Sequence, residues 1–176
     1  MPAIAEAPTP ACLAVNATLM EAVIKSTGNA LTMCGLQADC VGAARVPHQE
    51  SGIVTGMIGV HGAVSGFVTV NMSERFALQA VGGLMQEEFG PQLNSAVVDG
   101  SGELTNMVVG GIKSSLSTTE WAFSHITVPS VIVGKGYAIA YARGLEFLTT
   151  TFEYEDDDAV LLEDRLLHVS MSLLRR

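Results

Sequence analysis

Apolar and polar positions along this chain repeat with two different periods, and each change of period marks a new element. From Cys12 to about Thr32, Leu13, Leu19, Met20, Val23, Ile24 and Leu31 recur at near-helical spacing, which predicts a first helix with Asn29 and Gly35 as stop signals. Residues 39–46 read as a short strand ended before Pro47. The period then falls to two, so residues 53–60 and 66–70 read as strands, with His61, Gly62 and Ala63 turning between them. Ser73 is placed to cap a helix whose positive end suits Glu74 and whose buried stripe is Phe76, Ala77, Ala80, Val81 and Leu84. Gly90-Pro91 breaks the pattern, and Asn94 or Ser95 caps a longer helix running to about Leu116. Residues 126–133, 137–142, 146–154 and part of 161–174 are strand-like, with the acidic run 153–158 as a solvated hairpin loop between the last two. No internal repeat is evident. The order helix, strands, two helices, strands predicts an α/β fold of the α+β type, a sandwich whose mostly antiparallel sheet packs against two long helices plus an N-terminal helix.

Composition bounds what this sandwich can do. At 176 residues the chain fits one domain, expected over residues 12–176, after an Ala/Pro-rich tail at 1–11 expected to be disordered. Apolar residues make up 48% and charged residues only 15%, enough for a sizeable core, and aromatics at 6% leave it to be built from aliphatic side chains and methionine. A formal charge of −9 argues against nucleic acid or an anionic membrane as partner, and suits a basic protein patch or plain solubility. No stretch resembles a signal peptide or a membrane span, and Cys12, Cys34 and Cys40 form no CxxC, so a reducing cytoplasm is the expected setting. The four histidines, His48, His61, His125 and His168, have no ligand-like spacing, and no metal site of the chain's own is expected.

The chemistry concentrates on the long helix. On a wheel of about 100° per residue, Val97, Leu104, Met107, Val108, Ile112 and Leu116 gather on a core side, and Asp99, Gly102, Glu103, Asn106, Gly110 and Lys113 gather opposite. Asn106 is a mediocre helix former, and Gly102 and Gly110 stand four residues to either side of it, each costing about 1 kcal/mol relative to Ala. Their physical use is to clear side chains from around Asn106 so that another surface can approach. Glu103 and Asn106, three residues apart, then project together from a bare platform. Ser101 drifts to the core side, which close packing accounts for.

The run from Asp99 through Glu103 and Asn106 to Lys113 resembles the CheC/CheX/FliY phosphatases of bacterial chemotaxis. Their pattern is Asp or Ser, three residues, Glu, two residues, Asn, and Pro after twenty-two more; Asp99, Glu103, Asn106 and Pro129 fit it. A single copy of the motif, late in the chain, is similar to CheX, because Glu21 and Glu74 on the earlier helices lack an Asn three residues on. The resemblance implies a CheC/CheX-like sandwich and hydrolysis of the aspartyl phosphate of a CheY-type response regulator. It implies that Asn106 orients the attacking water and that Glu103 pairs with a lysine of the regulator. The chain then needs no cofactor of its own, and the Mg²⁺ belongs to the phosphorylated partner. Gly102 and Gly110 clear the docking face. Asp99 either supports the same interface or complements the early helix, and Lys113 either touches the partner or complements the negative helix end. Pro129 fixes the start of a strand. A homodimer through strand edges is the family expectation. The alternative is a non-catalytic interaction domain resembling the middle domain of the flagellar switch protein FliM, which shares the fold and lacks the motif.

Overall fold

Three helices start where side-chain oxygens can hold their free amides. The structure, a computed structural model, describes residues 15–46, 52–137, 139, 141 and 143–175. Helix α1 (Ala17–Met33) begins behind Asn16, whose Oδ1 accepts from the Leu19 amide at 3.0 Å. It ends in a Schellman turn: Leu36 N–H donates to Leu31 and Gly35 N–H to Thr32, with Gly35 at φ 72°. Only glycine takes that conformation without strain. Helix α2 (Glu74–Met85) is capped by the Ser73 hydroxyl, which accepts from the Phe76 amide at 3.0 Å. Helix α3 (Ser95–Leu116) is capped by Asn94, whose Oδ1 accepts from Val97 at 3.0 Å.

All three helices serve one antiparallel sheet. Its strands are β1 (Ala38–Ala44), β2 (Val54–Gly62), β3 (Val64–Met72), β4 (Phe123–Ile126), β5 (Ser130–Val133), β6 (Glu146–Tyr154) and β7 (Leu166–Arg175). The spatial order is β1-β6-β7-β3-β2-β4, with β5 also paired to β2. Register puts Ile58 opposite Val68, Val68 opposite Met171 and Met171 opposite Leu148, a row of four buried side chains across four strands. Such a row is the unit of sheet stabilisation. On the other face Thr69, Ser170 and Thr149 align, and the Thr149 and Ser170 hydroxyls meet at 3.1 Å. The chain after β5 covers part of this polar face. There the Tyr137 hydroxyl bonds Thr55, and the Tyr141 ring lies 5.8 Å from Phe67 and 5.0 Å edge-on from Phe147. No helix among the described residues is long and apolar enough to cross a membrane.

Several boundaries move for physical reasons. The tail at residues 1–11 and the helix start at Cys12 lie outside the described residues; Asn16 caps α1 later, and Asn29 lies inside the helix rather than ending it. The first strand covers Ala38–Ala44, short of Val46. The hairpin strands run on through His61 and Gly62 because β4 pairs with them there, leaving Ala63 at the turn. The strand expected over 137–142 falls partly outside the described residues, and positions 137, 139 and 141 are not in a strand. Residues 161–174 divide into a 3-10 turn (Leu162–Arg165) and β7. The acidic run is anchored rather than free: Arg75 Nε and Nη2 grip Asp156 at 2.7 and 3.0 Å, and the Tyr154 hydroxyl donates to Asp156 at 2.9 Å. The Arg75 guanidinium, aided by the Tyr154 hydroxyl, holds the Asp156 carboxyl down at about 2 against desolvation.

Candidate functional site

Helix α3 is clamped from three directions, and glycine makes each approach possible. A Cβ on Gly100 would collide with Val81 of α2, and one on Gly111 would come within 2.9 Å of Ser26 Cβ of α1. A Cβ on Gly56 of β2 would collide with Thr105, whose hydroxyl donates to Ser101. Ser101 and Thr105 are fully buried and return their hydroxyls to Val97 and Ser101 carbonyls at 2.7 and 2.8 Å, so neither leaves an unpaired polar group. Val97, Leu104, Val108, Ile112 and Leu116 are buried as the wheel predicts, and Met107 is half-buried at the margin.

The outward arc carries Asp99, Glu103 and Asn106, all exposed, with half-buried Gly110 continuing it. Among the described residues neither Glu103 nor Asn106 commits its side chain to a hydrogen bond or ion pair within the chain. A Cβ on Gly110 would have nothing within 4 Å, so the surface beyond Asn106 is open. Gly102 differs from the wheel reading: it is buried, and a Cβ there would lie 3.6 Å from Pro129 Cγ and 3.5 Å from Val131 Cγ2. The chain's own edge strand thus occupies the space that Gly102 clears. Lys113, in the last turn, is half-buried beside a cleft of about 520 Å³ shared with Gly62, Ser114, Ser117 and Phe123. Asp99 lies beyond the first turn, where a carboxylate gains less from the positive helix end.

The fold therefore brings Asp99, Glu103, Asn106 and Gly110 onto one ridge, sets Gly102 against the flank, and leaves Lys113 at the far end. Pro129 does more than start β5, because its ring walls the ridge at Gly102. Sequence reasoning did not find Val131 as part of that wall, since nothing in its own short apolar run sets it apart. A concavity of about 770 Å³ lies elsewhere, among Thr32, Leu36, Asp39, Glu153 and Asp156, and neither it nor the Lys113 cleft includes Glu103 or Asn106. Among the described residues no group of three His, Cys, Asp or Glu side chains could hold a metal ion. Such a surface can insert a carboxylate and a carboxamide into a partner's pocket.

A family model described as chemotaxis phosphatase CheX matches residues 54–153. The chain resembles the structure of the chemotaxis protein CheX from Vibrio vulnificus at 26% identity and TM-score 0.73, over 89% of this chain and 99% of that one. It resembles CheX from Desulfovibrio desulfuricans at 22% identity and TM-score 0.73, over 88% and 98% of the two chains. A CheX–CheY–BeF₃–Mg²⁺ complex from Borrelia burgdorferi matches at 19% identity and TM-score 0.67, over 89% and 96%. Among curated protein sequences none matches.

Proposed function

The chain belongs to the chemotaxis phosphatase CheX family, and from that premise we propose that it hydrolyses the aspartyl phosphate of a CheY-type response regulator. The observation that carries the reading is the pairing of exposed, uncommitted Glu103 and Asn106 on one outward arc of a clamped helix. An acyl phosphate is already activated, so its hydrolysis needs a water held in line with phosphorus more than a strong base. Asn106 suits that role, since a carboxamide offers a donor and an acceptor and brings no negative charge toward the phosphoryl group. The water adds to phosphorus, the acyl P–O bond breaks, and inorganic phosphate leaves the partner's regenerated carboxylate. Glu103, an anion, is suited to a charge-assisted bond with a lysine of the partner's active site, which would fix α3 over the phosphoryl group. In the Borrelia structure the CheY partner comes with BeF₃ and Mg²⁺; by that likeness the metal here would be the regulator's. Asp99 and Gly110 extend the docking face, Gly102 keeps its flank flat under Pro129, and Lys113 meets the partner's rim.

The test follows phosphoryl loss from a radiolabelled receiver domain with and without the protein. Asn106→Ala is expected to abolish turnover while binding to the receiver survives. Glu103→Ala is expected to weaken the complex. Unaltered decay across the host's receivers would reject the enzyme and favour the FliM-like binding module. Normal binding by Glu103→Ala would contradict the role given to that carboxylate.

A further inference from the structure

The edge of the sheet beside α3 is one interrupted strand. Met57 pairs with Ser130 and Val60 with Ile126, so four steps on the edge oppose three on β2, which is a β-bulge at 127–129. The bulge is tied down on both sides. Thr127 N–H donates to the Gly59 carbonyl at 2.9 Å, and its Oγ1 accepts from the Gly59 amide at 2.9 Å. The same hydroxyl donates to the Val128 carbonyl at 3.0 Å. On the next position Pro129 rests against Gly102, the residue before Glu103. Between these two anchors Val128 is 83% exposed.

A lone exposed valine is ordinary on a protein surface. This one differs in being held rigidly and in where it is held. After α3 the chain turns back, so the edge strand runs antiparallel to the helix, with Ser124 near Lys113 and Pro129 at Gly102. Five strand residues at about 3.3 Å each span about the same length as eleven helical residues at about 1.5 Å. Val128, one step from Pro129, therefore stands about level with Leu104, between Glu103 and Asn106 along the axis. Bulges recur where a side chain must be re-aimed beside a site.

We propose that this bulge is the second contact of the docking surface. Val128 packs on an apolar patch of the receiver domain beside its phosphorylated aspartate, while Thr127 and Pro129 hold the valine at the height of the catalytic pair. The occupant is the same receiver that Glu103 and Asn106 engage, because the bulge is continuous with their ridge through Gly102; the proposal rests on the phosphatase reading. Val128 contributes binding common to ground and transition states, so its loss acts on KM.

The experiment is steady-state hydrolysis of the acetyl-phosphate-charged receiver whose decay the protein accelerates, with affinity for the BeF₃–Mg²⁺ form of that receiver measured in parallel. Val128→Asp is expected to raise KM and weaken binding about tenfold, with kcat within about twofold of the parent. Val128→Leu restores parental values. Val128→Ser, which adds no charge, raises KM about threefold and separates lost apolar contact from repulsion. A parental KM for Val128→Asp, or a fall in kcat at unchanged KM, overturns the proposal. Asn106→Ala is run beside these variants: if no receiver's decay is accelerated by the parent protein, the phosphatase reading fails; if Asn106→Ala is dead while Val128→Asp behaves as the parent, the docking role alone fails.

Discussion

Gly110 and Gly111 are neighbours on α3 with opposite environments, and Ala should stabilise at the first and not at the second. A methyl on Gly110 meets nothing within 4 Å, and its φ is not positive. The substitution then gains helix propensity alone, about 1 kcal/mol, largely by restricting the unfolded chain. For a chain of this size that is a rise of about 2–4 °C in Tm. A methyl on Gly111 stands 2.9 Å from Ser26 Cβ and 3.4 Å from Ser26 Cα, so α1 must back away. Overpacking of this kind costs about 1–3 kcal/mol. Set against the same propensity gain, Gly111→Ala is expected to be neutral to about 2 kcal/mol less stable. Urea and thermal melts of both variants decide this. In the phosphatase assay the signs cross. Gly110→Ala places a methyl one turn from Asn106, on the side a partner must approach, so the more stable protein is the poorer enzyme, with raised KM. A Gly110→Ala protein destabilised by more than about 1 kcal/mol would show that the space above the helix is filled. A stabilised, fully active one would remove the reason given for glycine there.

Other outcomes follow from single residues. Asn106 is exposed and makes no side-chain bond within the described chain, so Asn106→Ala should raise stability by up to about 0.7 kcal/mol while abolishing hydrolysis; a marked loss of stability in urea melts would show a structural role. Asp156 is depressed from an ordinary 3.8 to about 2, so its contribution to stability is complete above pH 4 and lost as pH falls toward 2. Asp156→Asn should therefore lower the urea midpoint at pH 7 and flatten its change between pH 4 and 2; an unchanged acid profile would refute the pairing. Cys34 is buried, and desolvation pushes its thiol to about 11, so with Cys12 replaced by Ser, a thiol reagent at neutral pH should label half-buried Cys40 in the folded protein. Labelling of Cys34 before unfolding would contradict its burial.

What the sequence revealed and what it hid divide along a physical line. Asn94, Ser73 and Gly35 were legible because caps act within three or four residues. The buried stripe of α3 was legible because its period is fixed by helix geometry. The bulge was not: Pro129 interrupts the β-branched positions of 126–133 and marks a strand start, edge or bulge alike. The extra residue at 127–129 is set by the count of residues on β2, far away in the chain. Gly102 was misplaced for the same reason, since the residues that cover it, Pro129 and Val131, belong to another strand. The Arg75–Asp156 pair joins residues 81 apart and turned an apparently free acidic loop into an anchored one.

The glycines of α3 then bear together on function. Gly100 and Gly111 exist for contacts with α2 and α1, and Gly56 for the seat of Thr105 on β2. These contacts fix the helix from every inward direction, at a propensity cost of about 1 kcal/mol for each helical glycine. A group that works by orienting water depends on being held still, since its contribution is the entropy already lost in positioning. The same helix leaves its outward arc uncommitted, where Glu103 and Asn106 add nothing to the fold. On the proposed reading, where the phosphoryl group and its metal would arrive with another protein, a rigid base under an uncommitted face is what such a half-site needs.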